Sequence, residues 1–396
     1  MLNVAAIQDS LRRFGIDAWL LYDFRGTNPL ARRVLGISDD NVGSRRWFYC
    51  IPAEGEPMKL VHRIETGALD GLPGAANVYL KWQELNAGVE RLVTGMSRVA
   101  MEYSPNNANT YVSRVDAGTI ELVRQFGCDV VSSGNLVQQF EAVWDEQQWQ
   151  MHLEASEHTD AAFARVWSFI ANRIRSNQRV TEYMVQQEIM QHFAEHGMTT
   201  YHPPIIGVGP HSGDPHFEPD IENDTEMREG DFVLVDLWAK MDRPRGVYSD
   251  LTRVGYIGSS VPARYEEVFQ VVARARDAGI AIVKSAFAKG ESLQGWQVDK
   301  ATRDVIENAG YGDAFIHRTG HSIGQETHGN GANMDNLEMR DERLVLPGTC
   351  FSIEPGIYLP EFGVRSEVDV FVDWQGIVHV TGGDLQQAVV QILAEY

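Results

Sequence analysis

HRTGHSIGQETH, running from His317 to His328, places three histidines within twelve residues. Gly320 and Gly324 flank the middle one. Histidine is the commonest metal ligand and the side chain that titrates near neutral pH. A glycine beside it lets backbone or ligand come close. Alone, such a cluster is as compatible with packing as with a site. Its surroundings decide the reading. Upstream, VLVDLWAKMDRPRGVYSDLTR carries Asp236 and Asp250; downstream, FSIEPGIYLPEFGVRSEVDVFV carries Glu354 and Glu367. All four acids sit in apolar, strand-like runs, where an unpaired carboxylate is costly.

Each acid-bearing segment reads as strand, turn, strand. In the first, MDRPRG is the connector, and a regular register centred on Arg243 sets Asp236 directly against Asp250. Directly opposed side chains have Cβ atoms roughly 5 Å apart, and like charges there repel. A cation between them removes the conflict. In the second segment, a midpoint at Pro360–Glu361 brings Glu354 near Glu367. Two hairpins that each supply two acids hint at an internal pseudo-symmetry. Before the first hairpin, YHPPIIGVGPHSGDPHFEP is dense in Pro, Gly and His, the composition of a binding loop; it holds His216.

One imidazole with four carboxylates offers too many oxygens for a structural zinc site. Such a donor set suits two divalent ions, with Mn²⁺, Co²⁺, Fe²⁺ or Zn²⁺ all compatible. Two ions ~3.5–4 Å apart can share carboxylates and a bridging hydroxide that attacks a carbonyl or phosphoryl group. His216 and His328 then remain free to hydrogen-bond substrate and oxyanion.

Working outward, 396 residues suggest two domains. Residues 1 to about 145 alternate strands with helices, which implies an α/β layered domain. Strands are expected at IDAWLLY, RRWFYCIP, MKLVHRI, RVAMEYSP and CDVVSS, with a helix over Val112–Phe126. No strand–GxGxxG–helix arrangement is present there, and the expected role is a scaffold or a dimer-forming domain. From Asn135 to Arg175 the chain has no glycine or proline, so a long helix is expected to cross a boundary lying within Val137–Gln150. His152, His158, His192 and His196 read as surface or packing residues of this helical region. The net charge of −21 argues against a nucleic-acid or anionic-membrane partner. Three cysteines, odd in number and far apart, imply no disulfide framework and read as reduced thiols. No apolar run approaches the ~20 residues that span a bilayer, and no signal-peptide pattern opens the chain. A cytoplasmic protein is expected.

The order Asp, Asp, His, Glu, Glu, carried by VDLWAK, SDLTR, GHSIG, IEPG and VRSE, resembles the pita-bread metallopeptidases. That family includes methionine aminopeptidase, aminopeptidase P and prolidase. The α/β segment ahead of these motifs is similar to the creatinase/prolidase-type N-terminal domain, so the resemblance covers nearly the whole chain. It implies an α/β (α+β) protein with an N-terminal domain at 1–145 and a pita-bread catalytic domain at 146–396. It also implies metal ligation by Asp236, Asp250, His321, Glu354 and Glu367, with Asp250 and Glu367 bridging two ions, Mn²⁺ first among them. Glu354 matches the family's proton shuttle. His216 and His328 match histidines at the scissile bond and the tetrahedral intermediate. His317 matches one lining the proline-side pocket, and Arg365 an arginine near the substrate's carboxyl end. The implied activity is hydrolysis of Xaa-Pro dipeptides by a homodimer. The alternatives are an aminopeptidase P acting on longer Xaa-Pro-Xaa peptides, or non-peptide chemistry of the creatinase or sulfonium-lyase type. A non-catalytic binding module would be expected to have lost ligands, and none is missing here.

The sequence also departs from the pattern. The Asp236–Asp250 connector is longer than usual, Leu237–Trp238 stands where small residues are common, and Val368 follows Glu367 where an acid is frequent. Trp238 is therefore read either as a residue that shapes the substrate pocket or as one that packs the hairpin. These departures bear on substrate preference rather than on the metal ligands.

Overall fold

The computed structural model describes residues 2–38 and 43–396. The chain divides into two compact units, Met1–Glu141 and Ala142–Tyr396. In the first, the order is α1 (Val4–Phe14), β1 (Ala18–Asp23), α2 (Pro29–Leu35), β2 (Trp47–Pro52), β3 (Met58–His62), β4 (Ala75–Tyr79), α3 (Trp82–Val93), β5 (Arg98–Met101), α4 (Ala117–Arg124), β6 (Asp129–Ser132) and α5 (Gly134–Glu141). The strands form one mixed sheet in the order β4-β3-β2-β1-β5-β6. Every residue of β1 is buried. Leu20 packs with Leu85 and Val89 of α3 and Ile120 of α4, while Trp19 and Leu21 pack with residues of α1, α2 and α5. A strand covered on both faces loses polar alternation, which is why AWLLY reads as a continuous apolar run. The helix expected over Val112–Phe126 is confined to α4, because Asp116 caps it by accepting from the Thr119 amide at 2.9 Å. β4 is largely exposed and α3 follows it; neither was expected.

The uninterrupted helix expected from Asn135 to Arg175 is instead two helices. α5 ends at Glu141, and α6 (Glu146–Arg175) begins behind Asp145, whose side chain forms a capping box with Gln148. Such a box satisfies first-turn amides and starts a helix without any glycine or proline beforehand.

The second unit continues with α7 (Glu182–Glu195), β7 (Met198–Thr199), β8 (Ile205–Val208), β9 (Phe232–Met241), β10 (Tyr248–Tyr256), α8 (Ala263–Lys289), α9 (Gly295–Asn308), β11 (Ser322–Ile323), β12 (Thr349–Ile353), β13 (Gly356–Tyr358), β14 (Gly363–Arg365), β15 (Val368–Val372), β16 (Val378–Thr381), β17 (Val390–Gln391) and α10 (Ile392–Glu395). β7, β8, β9, β10 and β17 make one sheet, β11-β12-β15-β16 a second, and β13-β14 a ribbon. Strand parity sorts their side chains. Val233, Val235, Leu237 and Ala239 of β9 pack with Phe163, Val166, Trp167 and Ile170 of α6. Phe351, Ile353, Val368, Val370 and Val372 pack with Ile280 and Val283 of α8 and Val298 of α9. The opposite parity carries Asp236 and Asp250 on one sheet and Ser352, Glu367 and Asp369 around the other. Helices thus cover one face of each sheet, and the acids belong to the other.

Candidate active site

β9 and β10 pair antiparallel through nine residues, with Asp236 opposite Thr252 and Asp250 opposite Trp238. The hairpin is centred one residue later than expected, so the two aspartates lie on one face as diagonal neighbours instead of directly opposed. Diagonal partners stand about 7–8 Å apart, which separates two buried like charges yet leaves them able to face a common point. The second pair behaves differently. Ile353↔Val368 and Gly356↔Arg365 are both in register, so Glu354 and Glu367 face each other in the short gap between two ladders. Glu354 donates its amide to Thr319 O at 2.7 Å, and Glu367 donates to Thr252 O at 3.2 Å. The first of these contacts ties β12 to the histidine stretch and the second ties β15 to β10.

Gly320 makes the approach of the histidine stretch possible: a Cβ there would lie 1.9 Å from Ser352 O. His321 follows it, with its amide donating to Ser352 Oγ at 3.0 Å. Its Nε2 stands 3.6 Å from Asp250 Oδ2 and 3.4 Å from Glu354 Oε1. Donor atoms of Asp250, His321 and Glu367 all lie within 4.8 Å of one another, and all three residues are buried. Thr252 Oγ1 bonds Glu367 Oε2 at 2.7 Å and Asp236 Oδ1 at 3.0 Å, joining the fourth acid to the group.

The electrostatics of this cluster are those of crowded, desolvated carboxylates. Burial, reinforced by Asp236 and Asp369, holds the Asp250 carboxyl well above its ordinary range. Burial with Asp250 and Glu354 nearby does the same to Glu367. Glu354 is pushed up to about 7, again chiefly by burial. Burial also drives His321 well below its ordinary value, so the ring is neutral and able to ligate. Oxygen donors that repel one another around a neutral imidazole are a donor set that divalent cations relieve. The residues therefore fit the ions that their order implies.

The remaining expected residues are dispersed around this centre. Arg365 is buried and paired with Asp236 Oδ2. Its Nε donates to Thr252 Oγ1 at 3.0 Å and its Nη1 to Tyr358 Oη at 3.2 Å. It faces the acid cluster, so its guanidinium is committed inward. His317 donates Nδ1–H to Arg318 O, and its Nε2 accepts from Tyr358 Oη, both at 2.7 Å. Burial, with the Arg365 charge, holds it down at about 3. Both ring nitrogens are thus taken. His328 packs edge-on against His321, with ring centroids 4.3 Å apart. His216 is exposed on a loop whose Pro215 O accepts from Arg365 Nη1 at 3.5 Å. Trp238 is buried and lies against the exposed Tyr201, with centroids 6.2 Å apart; Tyr201 in turn meets Tyr248 edge-on.

Several site residues escaped the sequence reading: Tyr201, Thr252, Ser352, Tyr358 and Asp369. Three of them stand two positions from an expected ligand, which in a strand means the same face. Thr252 follows Asp250, Ser352 precedes Glu354, and Asp369 follows Glu367. Ser352 Oγ donates to Glu354 Oε1 at 3.0 Å. Period two was the available signal.

A model of metallopeptidase family M24 matches residues 150–373, more than half of the chain. The chain belongs to that family, and its fold is the pita-bread fold. It is 29% identical to the probable dipeptidase PepE of Mycobacterium tuberculosis over 348 residues, covering 86% of this chain and 85% of that protein. It is 32% identical to the Xaa-Pro dipeptidase of Pyrococcus furiosus over 178 residues, or 45% of this chain and 46% of that one. The crystal structure of dipeptidase PepE from Mycobacterium ulcerans superposes with a TM-score of 0.65 at 24% identity, covering 98% of this chain and 96% of that chain.

Proposed function

We propose that this member of metallopeptidase family M24 hydrolyses dipeptides, foremost those with proline at the carboxyl end, with two divalent ions, Mn²⁺ by preference. The observation that carries the proposal is the convergence of Asp250, His321 and Glu367 to within 4.8 Å, with Asp236 and Glu354 beside them. In this reading all five would hold the ions, with Asp250 and Glu367 serving both. Bound there, the ions would polarise the scissile carbonyl and activate a water. Similarity to a protein named as a dipeptidase runs along most of the chain, which favours dipeptides over longer Xaa-Pro-Xaa peptides.

The protein's own groups then have distinct tasks. Glu354, with a carboxyl raised to about 7 and anchored by Ser352, is suited to carry a proton from the attacking water to the leaving amine. His328 and His216 flank the approach and can donate to the carbonyl oxygen as it gains charge. His317 has no free ring nitrogen, so its task is to hold Tyr358 and shape the pocket. Arg365 neutralises Asp236, and Trp238 with Tyr201 forms an aromatic wall beside the ligands. Among the described residues no helix is long and apolar enough to cross a membrane, and all three cysteines are buried free thiols. A reducing cytoplasm fits those thiols, and a homodimer is what the family resemblance implies.

The test is turnover by stripped protein after adding back Mn²⁺, Co²⁺ or Zn²⁺. The panel holds Xaa-Pro dipeptides, an Xaa-Pro-Xaa tripeptide and a dipeptide without proline. Metal-dependent release from Xaa-Pro dipeptides alone is expected. Equal release from the tripeptide would move the assignment to an aminopeptidase, and preference for the proline-free dipeptide would remove the proline specificity. Silence across the panel would overturn the peptide reading.

A further inference from the structure

Asp369 is a fully buried acid that the site as described leaves without a task. It stands on β15, two residues beyond Glu367, and its side chain reaches across to β10. Oδ2 accepts from the Asp250 amide at 3.0 Å and from Ser249 Oγ at 3.1 Å. Oδ1 is buried with no hydrogen-bond partner. A second tie between these strands lies two residues along, where the Glu367 amide donates to Thr252 O at 3.2 Å. One contact therefore starts from the residue that carries Glu367, and the other ends on the residue that carries Asp250. Together they fix the distance between two acids that belong to different sheets.

His152 backs this junction from α6. It donates Nδ1–H to Tyr248 O at 2.8 Å, and its Nε2 accepts from Thr381 Oγ1 at 2.7 Å. Both nitrogens being used, it stands 3.9 Å from Asp369 Oδ2 and leaves that oxygen to β10. Asp369 also pairs with Ser352 on one side and Thr381 on the other, so its strand position is set by three neighbours.

We propose that Asp369 is a positioning residue: by clamping the Asp250 amide it holds the two shared carboxylates, Asp250 and Glu367, at the separation that two ions need. This rests on the two-ion reading above. The acceptor at Asp369 Oδ2 fixes the Asp250 backbone at 3.0 Å, and loss of such outer partners typically weakens a metal site 10- to 100-fold.

The experiment is Mn²⁺ titration by calorimetry on the full-length metal-free protein, its Asp369→Asn and Asp369→Ala variants, and Ser249→Ala as a control. Thermal unfolding of each metal-free protein is measured alongside. The expected result is a roughly 10- to 100-fold weaker second Mn²⁺ site in Asp369→Asn at an unchanged metal-free melting temperature. Asp369→Ala should lose that site, and Ser249→Ala should keep it. Two Mn²⁺ sites of wild-type affinity in both Asp369 variants would overturn the proposal. So would failure of both variants to fold without metal, which would make the residue a folding determinant. If the wild-type protein itself takes up fewer than two ions, the two-ion reading fails instead, and the two failures are distinguished.

Discussion

Glu102 in the N-terminal unit and Glu367 in the C-terminal unit are both buried, and they are treated in opposite ways. In the N-terminal unit Glu102 is wholly buried, and every one of its oxygens is met by a donor. Oε1 accepts from Trp19 Nε1 at 2.6 Å and Ser133 Oγ at 3.1 Å, while Oε2 accepts from Asn28 Nδ2 at 2.7 Å. In the C-terminal unit Glu367 shares one hydroxyl with Asp236, and its nearest company is the carboxylates of Asp250, Glu354 and Asp236 with the His321 ring. Burial raises both carboxyls, so burial alone does not distinguish them. What differs is the company. A buried acid ringed by donors is a structural element, because removing it strands the donors. A buried acid ringed by acids is held in readiness for a cation.

The comparison is easiest to break through stability. Glu102→Ala should strand Trp19 Nε1, Ser133 Oγ and one of the two Asn28 Nδ2 protons, the other staying on Tyr22 O, at a cost of ~1–3 kcal/mol for each stranded donor. The melting temperature should fall steeply while the folded fraction still takes up Mn²⁺. Asp250→Asn should do the reverse: metal-free stability stays level or rises as one repelling charge goes, and both Mn²⁺-induced stabilisation and turnover disappear. Calorimetric melting of both variants with and without Mn²⁺ decides it, and equal metal-free losses would erase the distinction.

A smaller effect sharpens it through pH. Glu354 and Asp369 have folded-state carboxyls raised to about 7 and about 8 by burial. The folded, metal-free protein thus binds more protons than the unfolded chain, and its stability falls as pH rises through that range. His152 and His317, lowered to about 4 and about 3 by burial, act in the opposite sense, but only below about pH 6.5, where the unfolded histidines protonate. Between about pH 6.5 and 8 the metal-free melting temperature should therefore decline, and the gain from Mn²⁺ should grow. A flat metal-free profile would contradict the crowded-acid picture.

The smallest expected effect concerns the loop that carries His216. Glu182, buried at the start of α7, accepts from the amides of Val208 and Thr225 at 2.8 and 2.9 Å and from His211 Nδ1 at 2.9 Å. One carboxylate thereby fastens both ends of the loop, and His211 stacks on Phe217 within it. Glu182→Gln should raise KM a few-fold, with kcat and Mn²⁺ affinity kept. An unchanged KM would show that the loop is held by other means.

Much of this was legible in the sequence. The five ligand-type residues and their order were plain because each sits in a short apolar run that tolerates no idle acid. The midpoint at Pro360–Glu361 was right because β12–β15 and β13–β14 share one register on either side of it. The hairpin carrying the aspartates was mis-centred by a single residue, since the longer connector does not reveal where pairing resumes. The break between α5 and α6 was missed because a good cap at Asp145 looks, residue by residue, like more helix.

The sequence by itself determined which side chains could ligate, the strands that carry them and the face each points to, because strand alternation is a local rule. Only the tertiary structure decided that Asp236 and Asp250 are diagonal, that Arg365 turns inward to Asp236, that His317 has no free nitrogen, and that Asp369 grips the Asp250 amide. Those outcomes depend on which strands meet and in what register. Packing across the whole unit sets that meeting, and no single stretch records it.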